Sequence, residues 1–253
     1  MEITRFPALR SCTTLILTGM LAFTACNQTK PDTQETQNTV AEPKLEPLTS
    51  ESVVGVLQQY GKNNPDSIAV ISTRLGDIKV RLYKDTPLHR ANFVRLAKAG
   101  FYNQGEFYRV VKGFAIQGGD SDEREMKQGA YKIPQEITPE HIHKKGALAM
   151  ARYGDERNPE KESSSHNFYI VQGQPRTEAE LRAFEAQHHI KYTPEQIEIY
   201  KTIGGEPGLD TEYTVFGEVI DGLDVVDSIA NVEVDPSNWP KELVKHTIKV
   251  TNK

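Results

Sequence analysis

Residues 107–120 read Phe107-Tyr-Arg-Val-Val-Lys-Gly-Phe-Ala-Ile-Gln-Gly-Gly-Asp120. Arg109, Val111 and Gly113 alternate with Val110, Lys112 and Phe114, which is the period of a β-strand and sets Arg109 on one face of it. Gly113 permits a bulge or bend within that strand, and Gly118-Gly119 permits positive φ immediately after Gln117. The expected product is a strand re-aimed at Gly113, with residues 114–117 close to Arg109. An arginine, an aromatic ring and an amide then share one surface beside a Gly-Gly bend.

Outward from that stretch, the chain alternates short apolar runs with turns. Ile68-Ala-Val-Ile71 and Ile78-Lys-Val-Arg-Leu82 flank Arg74-Leu-Gly-Asp77, the pattern of a β-hairpin. A helix is expected next, with Thr86 as N-cap, Pro87 at its first position, an apolar face from Leu88 to Ala97 and Gly100 at its end. Val53, Val54, Val56 and Leu57 predict a short helix within residues 51–64, stopped by Gly61. The charged run 122–127 reads as a solvated loop. Gly146-Ala-Leu-Ala-Met-Ala151 and Asn167-Phe-Tyr-Ile-Val171 read as strands separated by a hydrophilic loop.

Residues 174–207 break this rhythm. Thr177-Glu-Ala-Glu180 and Thr193-Pro-Glu-Gln196 are capping boxes, each opening a helix. Leu181 and Phe184 mark one apolar stripe; Ile197, Tyr200 and Ile203 mark another. Strand character returns over 213–220, a short helix fits 223–229, and Ile248-Lys-Val250 closes the chain as a strand. Many short strands with few helices predict a mainly β protein, a barrel or sandwich whose openings helices cover.

The 253 residues are 37% hydrophobic and 26% charged with a net charge of −5, which suits one globular domain with attachments and gives no basic footprint for nucleic acid. Arg5 and Arg10 precede an uncharged run, 11–25, too short to span a membrane, so residues 1–25 read as a secretory signal. It ends Phe23-Thr-Ala-Cys26, which resembles the lipobox of bacterial lipoproteins. On that reading Cys26 becomes a lipidated N-terminus that anchors the chain to a membrane of the cell envelope, facing the periplasm or the outside. The alternative is an ordinary signal peptide with an incidental cysteine. The only other cysteine, Cys12, lies inside the signal, so no disulfide can staple the domain. Residues 26–50, rich in Thr, Gln, Glu, Pro and Asn, read as a disordered tether.

Several chemistries find no support in the sequence. Ser163-Ser-Ser-His166 lacks a glycine-flanked nucleophile elbow. His141-Ile-His143 and His188-His189 lack a cysteine or carboxylate at ligand spacing and read as packing or surface histidines, so neither metal nor cofactor is expected. Gly118-Gly119-Asp120 lacks the Lys-Ser/Thr of a phosphate loop.

Taken in order, residues 107–120, Gly146-Ala-Leu-Ala-Met-Ala-Arg152, Asn167-Phe-Tyr-Ile170 and Leu209-Asp-Thr-Glu-Tyr-Thr-Val-Phe-Gly217 resemble the four core motifs of cyclophilin-type peptidyl-prolyl cis/trans isomerases. The resemblance spans about residues 67–250, within a domain 65–253 that carries 174–207 as an insertion. It implies an eight-stranded antiparallel β-barrel capped by two helices, the first at 87–99. It also implies a monomer acting on proline-containing unfolded or exported polypeptides. By motif, Arg109 would be catalytic, Phe114 and Tyr169 would line a proline pocket, and Gln117 would bind peptide backbone. Ala115, Ala151, Arg152, Asn167, Leu209 and Tyr213 match further groove positions. Three residues depart from the family pattern: Ala115 replaces the usual Met, Gly208 stands where many members have Trp, and Tyr169 replaces Phe, adding a hydroxyl that needs a partner. Two other readings remain open, a non-catalytic peptide-binding chaperone module on the same frame and a lipoprotein holding a small ligand. The insertion is either a wall of an extended groove or a surface elaboration.

Overall fold

A computed structural model describes residues 45–119 and 131–252. The residues read as a signal, Cys26, most of those read as a tether and the charged run 122–127 lie outside the described residues. The elements in chain order are α1 (Val53–Asn63), β1 (Ile68–Thr73), β2 (Gly76–Leu82), α2 (Pro87–Lys98), β3 (Arg109–Val111), β4 (Ala115–Gly118), β5 (Lys132–Ile133), β6 (Ala147–Met150), β7 (Ser163–Ser164), β8 (Phe168–Val171), α3 (Glu178–His188), α4 (Pro194–Thr202), β9 (Val215–Asp221), α5 (Leu223–Ala230) and β10 (His246–Thr251).

Eight strands form one antiparallel sheet in the order β10-β1-β2-β9-β6-β8-β4-β3, while β5 and β7 pair separately. The sheet curls until the segments leading into its two edge strands meet. There the Phe107 N–H donates to the Val244 carbonyl (2.9 Å) and the His246 N–H to the Gly105 carbonyl (3.0 Å). This is the eight-stranded antiparallel architecture that the motifs imply. Curling brings the two edges into partial register, so fewer backbone donors are left bare.

The period of two divides the strands between two faces. Val110, Ile116, Leu148, Met150, Phe168, Ile170 and Phe216 point into the main core, where α2 and α5 cover them. Phe93 of α2 packs its ring against Tyr102, Phe168 and Phe216 with centroids 5.1, 5.7 and 5.4 Å apart. Each such buried ring contributes roughly 1.5–3 kcal/mol by its removal from water. The outer face carries a smaller cluster, Ala115, Ala147, Ala149, Tyr169, Val171 and Val215. That outer cluster underlies the candidate site.

Four local expectations need correction. The stretch 107–120 is not one bent strand but a hairpin, β3-β4, in which Phe114 N–H donates to the Val111 carbonyl (3.0 Å) and Gly113 takes φ 78°. A full reversal lets β4 pair with β3 on one side and β8 on the other, satisfying its backbone on both edges. Gly61 does not stop α1. The helix runs through it, and a Cβ there would stand 3.2 Å from the Ala91 Cβ, so the glycine lets α1 lie close on α2. Thr86 is the N-cap of α2 but makes no capping bond; the Glu136 carboxylate accepts the Leu88 and His89 N–H groups instead, each at 3.0 Å. Ile203 is exposed, and Ile199 takes its place in the insertion's packing.

The insertion has its own small core of Ile142, Leu181, Tyr192 and Tyr200, and both capping boxes are formed. Its two ends are pinched together: the Gly205 N–H donates to the Gln174 carbonyl (3.1 Å), and the reverse bond measures 3.4 Å. A Cβ on Gly173 would come within 2.4 Å of the Gly205 Cα. The last residues of the stretch read as a tether lie on the domain, with Leu48 buried beside Val53 and Leu57 of α1.

Candidate active site

Strand register alone assembles the site. Arg109 of β3 stands opposite Gln117 of β4, Gln117 opposite Tyr169 of β8, Tyr169 opposite Ala149 of β6, and Ala149 opposite Val215 of β9. Residues directly opposite one another share a face, so this is one row across the outer surface of the sheet. Small side chains at Ala115 and Ala151 leave a hollow that larger ones surround. The resulting cavity of about 220 Å³ is lined by Arg109, Phe114, Ala115, Gln117, Ala151, Arg152, Tyr169, Leu209 and Tyr213. Asn167 is not part of the lining. It sits half-buried just before β8, where its carbonyl accepts the Ala151 N–H (2.7 Å) and its N–H donates to the Ser164 Oγ (3.3 Å).

The two arginines differ in what their donors do. Arg152 spends four of its five donors within the protein: Nε donates to the Glu212 carbonyl (2.6 Å), Nη2 to the Glu212 carboxylate (2.8 Å), and Nη1 to Asp155 (2.5 Å) and the Tyr153 carbonyl (3.0 Å). Its guanidinium also lies 4.7 Å from the Tyr213 ring centre. Arg152 therefore builds a wall. Arg109, half-buried at the other side, has its Cζ 5.8 Å from the Phe114 ring centre and no hydrogen-bond acceptor among the described residues. Its donors face the groove unengaged.

Phe114 is held by its backbone. Its carbonyl accepts the Gln172 and Gly173 N–H groups (2.9 and 3.0 Å), while the Gln172 side chain accepts the Gly113 N–H (2.6 Å) and donates to Asp227 of α5 (3.0 Å). Burial would raise the Asp227 carboxyl, but the bonds from Lys145 and Gln172 and the Lys145 charge outweigh it and hold the group below its ordinary range. Gln117 is oriented by donation from its Nε2 to the Tyr108 hydroxyl.

The hydroxyl of Tyr169 finds its partner in His143, whose Nε2 lies 3.0 Å away. The His143 Nδ1 and backbone N–H both donate to Asp210 Oδ1 at 2.8 Å. The Tyr192 and Tyr200 hydroxyls donate to Asp210 Oδ2 at 2.7 and 2.6 Å. An acceptor at Nδ1 fixes the proton there and leaves Nε2 to accept from Tyr169. Burial, then the neighbouring Tyr213 and Asp210, push the Tyr169 phenol well above its ordinary range, so it stays a neutral donor. His143, expected as a packing or surface histidine, is thus a buried link between a groove wall and the insertion. Sequence reasoning missed this because its partners are 26 and 67 residues away, with no local spacing to betray them.

Among the described residues the lining contains no serine, cysteine, histidine or carboxylate. It can bind an apolar ring, donate hydrogen bonds from Arg109 and hold a backbone, but it has no nucleophile and no general base. Among the described residues no group of three His, Cys, Asp or Glu side chains converges as metal ligands would.

Comparison with known proteins agrees with this chemistry. The family model described as "Cyclophilin type peptidyl-prolyl cis-trans isomerase/CLD" matches residues 68–251. A Staphylococcus saprophyticus protein named as a peptidyl-prolyl cis-trans isomerase is 36% identical over 176 residues, 68% of this chain and 84% of that protein. A Staphylococcus aureus protein of the same name is 32% identical over 177 residues, with the same coverage. The crystal structure of a Cryptosporidium parvum cyclophilin type peptidyl-prolyl cis-trans isomerase superposes with a TM-score of 0.54 over 74% of this chain and 99% of that one, at 24% identity. A second structure of that protein, in the presence of the dipeptide Ala-Pro, gives a TM-score of 0.53 at 25% identity, with the same coverage.

Proposed function

The chain belongs to the cyclophilin-type peptidyl-prolyl cis-trans isomerases, and from that premise we propose that Arg109 carries the catalysis and that the clients are exported polypeptides met at a membrane surface. The observation that supports the catalytic role is the contrast between the two arginines: one tied by four hydrogen bonds in the wall, the other beside Phe114 with no acceptor among the described residues.

Rotation about an X-Pro bond is opposed by amide resonance, with a barrier of about 18–20 kcal/mol, and needs neither nucleophile nor proton acceptor. As the bond twists, conjugation is lost and the prolyl nitrogen gains a lone pair. A guanidinium N–H donated toward that nitrogen binds the twisted state better than either planar one, which is the condition for acceleration. Phe114 and Tyr169 would grip the pyrrolidine ring over the hollow at Ala115, and Gln117 would hold the adjoining backbone while the preceding residue turns. Proline-bearing peptides suit such a groove, and the relative solved with Ala-Pro is consistent with that substrate class.

The test is the isomerisation rate of an X-Pro peptide with the full chain and with Arg109→Ala. Loss of the guanidinium is expected to cost on the order of 3 kcal/mol, a hundredfold or more, if it is worth what a removed oxyanion donor is worth elsewhere. A change under threefold overturns the role of Arg109. Binding of the peptide without any acceleration by the unaltered chain would instead identify a chaperone-like binding module. The export reading is checked by the mass and partitioning of the protein made in bacteria: acylation at Cys26 retains it in membranes, and Cys26→Ser releases it.

A further inference from the structure

None of residues 174–207 lines the groove, yet the groove and the insertion share one carboxylate. Asp210 follows Leu209 directly in the chain, so Leu209 faces the groove while Asp210, 4% exposed, lies beneath it. On one side Asp210 receives both His143 donors, and His143 in turn receives the Tyr169 hydroxyl; on the other it receives Tyr192 and Tyr200 of the insertion. Two groove walls, Leu209 and Tyr169, are therefore set by groups that converge on a single buried residue.

The ring geometry fits such a tether. Tyr169 lies nearly parallel to His143, at 12° and 6.1 Å, and edge-on to Tyr213, at 87° and 5.8 Å. A phenylalanine in its place would have only packing to fix its tilt, whereas the hydroxyl fixes it from the far end of the ring. The two insertion tyrosines are themselves buried, 5% and 0% exposed, and pack edge to face at 5.4 Å, so their hydroxyls are delivered to Asp210 by a rigid pair. Burial and the Asp210 charge raise both phenols, which keeps them donors.

We infer that the insertion tunes substrate binding from behind, with Tyr192 and Tyr200 acting through Asp210 and His143 as positioning residues for Tyr169. This rests on the groove being the site of the isomerase. It makes the insertion neither a wall of the groove nor a mere elaboration. The effect belongs to binding of the prolyl ring, not to the donation from Arg109 on the opposite side. Removing the two hydroxyls accordingly raises KM and leaves kcat nearly unchanged.

The experiment is a double-mutant cycle on the full chain: Tyr192→Phe with Tyr200→Phe, Tyr169→Phe, and all three together, with kcat and KM measured on an X-Pro peptide. The pair of insertion changes is expected to raise KM about fivefold with kcat within about twofold, a size set by one or two hydrogen bonds to a charged acceptor. In the Tyr169→Phe background, where the groove is cut off from His143, the same pair is expected to move KM by less than about twofold. An equal effect in both backgrounds, or none in either, overturns the inference. Should the pair fail to fold, Tyr192→Phe alone, which leaves Tyr200 on Asp210, replaces it in the same cycle, and the same two outcomes decide for or against. Failure of the groove reading is separate: it shows as an unaltered chain that does not accelerate isomerisation at all.

Discussion

A guanidinium stays protonated throughout the range in which the fold survives, so a reaction that depends on Arg109 has no titrating group of its own. The isomerisation rate is expected to be nearly flat from about pH 6 to 9; a bell-shaped profile would point to an acid–base pair that the lining lacks. Stability, unlike rate, should respond to acid. Glu218 sits between Lys144 (2.7 Å) and Arg81 (2.5 Å). Burial alone would raise its carboxyl, but the bonds and charges of those two residues outweigh it and lower the group below its ordinary value. A carboxyl lowered on folding contributes stability above its unfolded pKa, and the contribution is lost as pH falls through the folded value. Glu218→Gln should therefore melt lower at neutral pH and lose less on acidification, read as Tm against pH; a parallel shift at every pH would refute the coupling. At this scale the groove residues were legible because the motifs place them by name. The motif names Arg109 as catalytic and gives Arg152 only a groove position; that Arg152 is held in the wall was not legible, since its partners Glu212 and Asp155 are seen only in the fold.

Between residue and molecule, the β3-β4 hairpin turns at Gly113 and leaves β4 at Gly119, two glycines that differ in what surrounds them. Gly119 has φ 103°, and a Cβ there would come within 2.1 Å of the His166 carbonyl oxygen, a backbone atom. Gly113 has φ 78°, and its Cβ would meet the Gln174 Nε2 at the same distance, but that is the end of an exposed flexible side chain. Gly113→Ala is expected to cost about 1–2 kcal/mol for the left-handed backbone alone. Gly119→Ala should cost clearly more, because the backbone at His166, just before β8, would have to move; denaturant unfolding of both variants checks the order, and equal losses would contradict it. These elements show where sequence reading reaches its limit. The capping boxes at Thr177 and Thr193 were legible because donor and acceptor lie three residues apart. The cap of α2 was not, because its acceptor, Glu136, is about fifty residues downstream. The same reason hid the hairpin reversal: nothing local to Gly113 announces that β4 has a second partner in β8.

For the molecule as a whole, the eight-stranded antiparallel architecture follows from the motifs, while the coupling between barrel and insertion depends on a residue, His143, with no local signature. The barrel carries its own core and a sheet of eight strands, and the insertion packs around a separate cluster. Removal of residues 175–204, joining Gln174 to Gly205, should thus leave a protein that melts cooperatively, with kcat within about threefold and KM raised as Asp210 loses its tyrosines. Aggregation or non-cooperative melting would show instead that the insertion is part of the folding unit. The pinched stem has a consequence beyond this enzyme's own chemistry. Gln174 and Gly205 already bond to each other across the base of the loop, so the stem itself closes whatever length of chain lies between them. Closing a longer loop costs only about 0.6 kcal/mol per doubling of its length. The stem is a graft point, where a reporter or a foreign recognition module could be spliced in and, through Asp210 directly behind the base, have its occupancy written into the affinity of the groove.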